Sequence, residues 1–124
     1  MVVVGRAEVW HAGEDLAAAH LERLGWQLLD RNWTCPVGEL DIVAVEPGSE
    51  PVVVFCEVKT RRGLGFGTPL EAITPAKVAK LREVALHWLK AQPTPARHIR
   101  FDGVGVLLAR DAAPVITHCR GIGS

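Results

Sequence analysis

Two apolar segments separated by a short turn constrain the fold of this 124-residue chain more than any other feature. The segment from Glu39 to Val45 has the period of two of a β-strand, and the segment from Val52 to Lys59 opens with the apolar run Val-Val-Val-Phe. Residues 47–51 between them read Pro-Gly-Ser-Glu-Pro, a strong turn signal. A continuous apolar run is typical of a strand buried on both faces. The sequence therefore predicts an antiparallel hairpin in the middle of a sheet.

Signals on either side of this hairpin complete an α/β pattern. Residues 6–24 are predicted to form a helix, because one stripe at alternating steps of four and three contains Trp10, Glu14, Ala17, Leu21 and Leu24. Thr74-Pro75 is a typical helix start, and that second helix ends before Pro93. Strands are predicted at residues 26–33, 98–108 and 115–119. We therefore expect one domain over residues 1–124, an α/β sandwich whose mixed sheet is flanked by helices.

The bulk composition narrows the functional classes. Lys and Arg together number 14, as do Asp and Glu, so the net charge of zero supplies no argument for nucleic acid or membranes. The cysteines form no CxxC pair, which disfavours a disulfide framework and a zinc site. No apolar stretch approaches the roughly 18–20 residues of a membrane span. We therefore expect a soluble protein of the reducing cytoplasm.

Charged residues on the two hairpin strands fall at the same end of the predicted sheet. Residues two apart on a strand share a face, so Glu39 points with Asp41, and Glu57 points with Lys59. Pairing across the turn then brings Asp41 near Glu57. The same alternation predicts an opposite, apolar face of the first strand that carries Leu40, Ile42 and Ala44.

This acidic cluster predicts a metal site. Three carboxylates on a half-buried face repel one another unless a divalent cation lies between them. Oxygen ligands alone suit Mg²⁺ or Mn²⁺, and the carbonyl of Val58 could add a further ligand. Lys59 cannot bind the cation, but it could hold a phosphate oxygen or a water. The alternative is that Glu39, Asp41 and Glu57 are exposed strand-end charges paired with Lys59 and its basic neighbours.

Glu14 is a carboxylate on the apolar stripe of the first helix. Burying a carboxylate without a partner costs several kcal/mol. A partner is therefore expected, either the metal of the acidic cluster or Lys59. The alternative is that Glu14 extends to solvent or pairs with Arg23.

The connection at residues 61–73 is longer than usual and carries three glycines at alternate positions, which are Gly63, Gly65 and Gly67. It is predicted to be a mobile lid, with Phe66 and Leu70 closing onto substrate or onto a partner subunit. Basic residues at its start and on the second helix include Arg61, Arg62 and Lys77, and they form either a phosphate-binding cluster or a solvated helix face. The histidines show no metal-ligand spacing, and His20 and His87 are predicted to be surface helix residues.

Several motifs taken together resemble the YraN family of small bacterial proteins. They read Gly-Glu-Leu-Asp-Ile-Val-Ala at residues 38–44, Phe-Cys-Glu-Val-Lys-Thr-Arg at 55–61, Phe-Gly-Thr-Pro-Leu-Glu-Ala at 66–72 and Arg-Phe-Asp at 100–102. Gly-Glu-Asp-Leu-Ala at 13–17 and Asn-Trp at 32–33 match as well, so the resemblance covers about residues 5–108. It implies the PD-(D/E)xK nuclease-like fold, a restriction-endonuclease-like sandwich shared with archaeal Holliday-junction resolvases.

The resemblance also implies roles for individual residues. Asp41 and Glu57 resemble the metal-binding acids of the nuclease signature, and Lys59 resembles its lysine. Glu39 and Glu14 resemble accessory acids of the resolvase-like branch. All five are therefore candidate catalytic residues.

The function implied is that of a Mg²⁺- or Mn²⁺-dependent endonuclease that hydrolyses phosphodiester bonds in branched or single-stranded DNA. The alternative is a non-catalytic nucleic-acid-binding or assembly module that keeps the nuclease fold, which the zero net charge favours. Resolvase-like relatives act as dimers, which implies a homodimer, and Trp33 or Trp88 could be interface anchors or core residues. Gly103 and residues 118–122 depart from the family pattern and leave the last strand without a predicted role.

Overall fold

The structure is a computed structural model that describes residues 6–63 and 67–123, apart from the side chains of Arg6, Ala7 and Trp10. Its elements in chain order are α1 Arg6–Arg23, β1 Gln27–Cys35, β2 Gly38–Glu46, β3 Val52–Arg61, a 3-10 turn Pro69–Ala72, α2 Pro75–Ala91, β4 Ile99–Leu107 and β5 Val115–Cys119. The predicted order of helices and strands is confirmed. Within the described residues, no helix is long and apolar enough to cross a membrane.

The five strands form one mixed sheet in the order β1-β2-β3-β4-β5. Neighbouring strands are antiparallel except β3 and β4, which are parallel and are connected through α2. The predicted hairpin is the pair β2 and β3, in register from Ile42 opposite Cys56 to Glu46 opposite Val52. β3 is the central strand. Of the apolar run at its start, Val54 and Phe55 are fully buried, and Val52 and Val53 pack partly buried against the core.

The helices cover opposite faces of the sheet. On the α1 face, Ala17, Ala18 and Leu21 pack against the sheet residues Ile42, Ala44, Val54, Cys56, Val58, Val104 and Val106. On the α2 face, the residues Leu81, Val84, Ala85 and Trp88 pack against Leu40, Val43, Phe55 and Phe101. Leu24, predicted to end the α1 stripe, is instead exposed. Two helices on a five-stranded mixed sheet give the α/β architecture of the restriction-endonuclease-like sandwich.

Tryptophans contribute to the core on the α2 face. Trp88 is buried, meets Phe55 edge to face at 5.6 Å between ring centroids, and donates its indole N–H to Asp30 at 2.8 Å. Trp33 is partly buried against the same cluster. Of the two roles open to Trp88, the structure therefore assigns the core.

The connection before α2 is packed rather than open in its second half. A Cβ added at Gly103 would lie 3.0 Å from Ile73 and 3.3 Å from Leu70, and one added at Gly105 would lie 3.0 Å from Pro69. Small residues on β4 thus make room for the 3-10 turn, which accounts for the glycine at position 103. Leu70, predicted to close onto substrate or a partner subunit, packs in this structure beside Gly103 and Gly105 of β4. Phe66 lies outside the described residues.

Asp102 anchors the last strand from a fully buried position on β4. It accepts hydrogen bonds from Arg100 at 2.8 and 3.0 Å, from His118 Nε2 at 2.8 Å and from the Gly121 amide at 3.1 Å. The other ring nitrogen of His118 lies 3.0 Å from His20 Nε2. The prediction that His20 is a surface residue is therefore wrong, since it is part-buried and connects α1 to β5. The segment that departed from the family pattern is held by this network.

Burial alone would raise the pKa of Asp102, but the hydrogen bonds from His118, Arg100 and Gly121 outweigh it and hold the pKa at about 2. A carboxyl whose pKa is lower in the folded chain stabilises the fold above its unfolded pKa, and this stability disappears as the pH falls through the folded value. We therefore expect the free energy of unfolding to fall between about pH 4 and pH 2.

Asp102→Asn should remove this acid dependence and destabilise the fold by roughly 3–5 kcal/mol at neutral pH, because Arg100 loses a buried partner. Urea unfolding across the pH range measures both effects. Asp111→Asn, in the exposed turn before β5, is the matched control and should behave as wild type. A wild-type profile for Asp102→Asn would contradict the assigned role.

Candidate active site

Asp41 lies where the hydrogen-bond ladder of the sheet is interrupted on both sides of β2. Towards β1, the register pairs Arg31 with Ile42 and Trp33 with Leu40, and the residue pair between them is skipped. Towards β3, the paired residues of β2 run from Glu46 back to Ile42, so Asp41 is the first residue beyond the paired segment. The two hairpin strands therefore separate at the end of the sheet where the sequence placed its charged residues.

The interruption changes which face the side chains occupy. Leu40 packs in the cluster on the α2 face, whereas Ile42 and Ala44 pack on the α1 face. The prediction that these three residues share one face is therefore wrong. Asn32, in the skipped pair, has a φ of 51°, which is incompatible with regular strand geometry and marks an irregularity in β1.

The side chain of Asp41 replaces a backbone hydrogen-bond acceptor that the interrupted ladder no longer supplies. The backbone amide of Val58 donates to Asp41 Oδ2 at 2.8 Å, so a β3 amide that has separated from β2 is satisfied by a β2 carboxylate. The amide and carbonyl of one strand residue point to the same side of the strand. The Val58 carbonyl therefore faces the same gap as its amide, beside Asp41.

Asp41 is a buried acid in a negatively charged environment, with 5% of its surface exposed. Burial and the neighbouring Glu57 carboxylate, assisted by Glu14, raise the pKa of Asp41 to about 7. The amide of Val58 and the ammonium of Lys59 act in the opposite direction and are too weak to compensate. The chain thus places a carboxylate where it is poorly stabilised by its own neighbours.

Glu57 and Lys59 lie two residues apart on β3 and form an ion pair at 3.3 Å, with both side chains part-buried. Lys77, in the first turn of α2, lies near them: the Lys59 ammonium is the main cause that lowers the pKa of Lys77, and Arg61 adds to it. Lys59, Lys77 and Arg61 together form what we call the basic rim of the site. Arg62, the remaining predicted phosphate-binding residue, is exposed beside it.

Glu14 approaches the site from α1 and is almost fully buried, with 1% of its surface exposed. A Cβ at the preceding residue, Gly13, would overlap Thr60 of β3, so glycine permits the close approach of helix and strand. Burial raises the pKa of Glu14, and the amide of Asn32 is the strongest opposing contact. Glu39 is exposed, and its charge also raises the pKa of Glu14, which places it at the edge of the cluster.

The structure therefore brings together Asp41, Glu57, Lys59 and Glu14, with Glu39 at the margin. The side-chain partner of Glu14 is Asn32, whereas the sequence predicted Lys59 or a bound metal, with Arg23 as the alternative. Sequence reasoning missed Asn32, whose signal was its place in the Asn-Trp match. Across the described part of the chain, no three His, Cys, Asp or Glu side chains are placed to hold a metal ion. The ligands that Asp41 and Glu57 could supply are thus two carboxylates, to which the Val58 carbonyl adds a backbone oxygen.

Comparison with known proteins identifies the family of the chain. Residues 13–106, which contain all the candidate site residues, match the family described as "Uncharacterised protein family UPF0102". A protein of Mycobacterium sp. (strain KMS) is 46% identical over 117 residues, covering 94% of this chain and 86% of that relative.

Further relatives give the same result. A protein of Acidothermus cellulolyticus is 47% identical over 119 residues, covering 88% of each chain. One of Nocardioides sp. is 49% identical over 111 residues, covering 90% of this chain and 87% of the relative. All three are named "UPF0102 protein". The chain therefore belongs to UPF0102, the YraN family that its motifs resemble.

Proposed function

We propose that this protein is a Mg²⁺- or Mn²⁺-dependent endonuclease that hydrolyses phosphodiester bonds in DNA. The observation that carries the proposal is the buried Asp41 carboxylate, placed beside Glu57 and Glu14 where the two hairpin strands separate. The neighbouring carboxylates raise the pKa of Asp41, and a divalent cation bound between them would remove that conflict. The lysine two residues beyond Glu57 completes a site suited to phosphate chemistry.

The donor atoms fit a hard divalent cation. Asp41 and Glu57 would hold it with carboxylate oxygens, and Val58 would contribute its carbonyl oxygen from the same gap. Nitrogen and sulfur ligands are absent from this set, which favours Mg²⁺ or Mn²⁺ over Zn²⁺. Once bound, such an ion neutralises charge on the scissile phosphate and lowers the pKa of a water ligand.

The remaining residues of the site would bind and orient the substrate. Lys59 stands beside Glu57 with its ammonium part-exposed, where it could orient the attacking water and offset charge on the phosphate oxygens. Glu14 and Glu39 would act as accessory acids at the edge of the cluster. The basic rim, with Arg62 next to it, would contact the nucleic acid backbone and so set position rather than sequence preference.

DNA in branched or single-stranded form is the substrate class that we propose. The cations lie locally at the site while the net charge of the chain is zero, so phosphate binding would depend on this rim. Cutting two strands of a branched molecule would need two sites, which a homodimer would supply.

Cleavage of a panel of linear, nicked, flap and four-way DNA substrates with Mg²⁺ or Mn²⁺ tests the proposal. Asp41→Asn and Glu57→Gln should each reduce the rate roughly 100-fold or more, because the ion loses a charged ligand. Glu50→Gln, in the exposed turn of the hairpin, is the matched control and should cleave as wild type. Activity that survives in both site variants would contradict the proposal.

A second candidate is a nucleic-acid-binding or assembly module that keeps the fold without catalysis. The balanced charge of the chain favours it, because dedicated DNA enzymes are often basic. The two candidates differ in whether the acidic site takes a cation. A module without catalysis has no need of one and would retain nucleic acid binding in Asp41→Asn.

The difference in thermal stability between Asp41→Asn and the wild type should change sign when a divalent metal is added. Without divalent ions at pH 8, the substitution should stabilise the fold by roughly 1–3 kcal/mol, because it removes a buried charge next to Glu57 and Glu14 and keeps an oxygen for the Val58 amide. At millimolar Mn²⁺, the wild type should gain on the order of 5 °C in Tm and the variant nothing. A wild-type Tm that does not change on addition of Mn²⁺ would favour the non-catalytic module.

A further inference from the structure

Asn32 adopts an unusual backbone conformation next to the acidic site. Its φ of 51° lies in the left-handed region, and Asp111 is the only other non-glycine residue with positive φ among the described residues. Asparagine enters this region more readily than most residues, yet the conformation still costs free energy and persists only where surrounding contacts impose it. The position of Asn32 opposite the interruption in β2 suggests that its side chain supplies those contacts.

The amide of Asn32 lies within hydrogen-bond distance of both oxygens of the Glu14 carboxylate. With its nitrogen turned towards α1, it donates to both carboxylate oxygens, at 3.2 and 3.1 Å. The opposite orientation would place the amide oxygen against two carboxylate oxygens, so the hydrogen-bond network assigns the nitrogen to this side. One amide nitrogen within reach of both oxygens holds the carboxylate in place.

Glu14 has little freedom to reach another partner. It is 1% exposed and sits on α1 directly after Gly13, which lets the helix touch Thr60 of β3. Asn32 lies opposite Asp41 in the skipped pair of β1 and β2, so the Glu14 carboxylate that it contacts lies beside this part of β2. Whatever holds Glu14 therefore also sets the distribution of negative charge around Asp41.

We infer that Asn32 is a positioning residue of the acidic site, whose amide holds the Glu14 carboxylate in a fixed orientation beside Asp41. The inference rests on the proposed function, because the fixed carboxylate serves a bound cation. Asn32 touches neither the cation nor the substrate in this account. It acts through Glu14, an accessory acid beside the proposed ligand Asp41, in the way that residues behind metal ligands orient those ligands.

A double-mutant cycle on the 124-residue chain tests the inference. Asn32→Gly accepts the positive φ without strain and lacks the amide, so the fold should persist. Mn²⁺ affinity, measured by calorimetry, should fall about 10-fold in Asn32→Gly, within the range known for groups behind metal ligands. Asn32→Asp, which keeps the shape but cannot donate when ionised, should not rescue it. Asp111→Gly, the other positive-φ position, should bind Mn²⁺ as wild type.

The cycle separates positioning from a general structural effect. In a Glu14→Gln background, Asn32→Gly should cause no further loss of affinity, because the carboxylate that it oriented is absent. Equal losses in both backgrounds would overturn the inference, as would a wild-type affinity in Asn32→Gly. If the wild-type chain itself binds no Mn²⁺, the proposed function fails and the inference fails with it. A wild type that binds while Asn32→Gly binds equally well contradicts the inference alone.

Discussion

The contact on which the site depends is the hydrogen bond from the Val58 amide to the Asp41 carboxylate, 2.8 Å long, where the hairpin strands separate. A regular ladder would have paired the backbones of β2 and β3 at this point and left Asp41 on an ordinary strand face. The separation instead opens a gap at the end of the sheet. The carboxylate of Asp41 lies in the gap, and Val58 of β3 directs its amide and its carbonyl towards the same gap. The gap is thus lined with oxygen atoms.

The two buried aspartates, Asp102 and Asp41, differ in their hydrogen-bond partners and in the direction in which the fold shifts their pKa. Asp102 has four hydrogen bonds, from Arg100, His118 and Gly121, and its pKa is held at about 2. Asp41 is almost as deeply buried, but its neighbours include Glu57 and Glu14, and its pKa is raised to about 7. The first is a satisfied structural anchor for β5. The second carries an uncompensated charge that the fold has retained, which is typical of functional sites.

Much of this fold follows from patterns within single segments. The helix cap at Thr74-Pro75, the apolar run of β3 and the turn at residues 47–51 are local signals, and the structure confirms the elements that they predict. The closeness of Asp41 and Glu57 followed from the length of the turn alone. These predictions succeed because the residues involved lie close together along the chain.

The contacts that were missed depend on packing between distant segments. Simple alternation placed Leu40 with Ile42, and it could not reveal an irregularity that arises where Asn32 turns towards Glu14 of the helix. The contact of His20 with His118 joins residues 98 positions apart. Such pairs leave no periodic trace in the sequence, since each residue is typical of its own segment.

Anomalous diffraction from wild-type crystals grown with Mn²⁺ tests the central claim most directly. A peak is expected in the gap between β2 and β3, within about 2.0–2.3 Å of a carboxylate oxygen of Asp41, one of Glu57 and the Val58 carbonyl oxygen. Glu14 should keep its contact with Asn32 behind this peak. An empty gap at millimolar Mn²⁺, with the Glu57 carboxylate still paired to Lys59, would contradict the account.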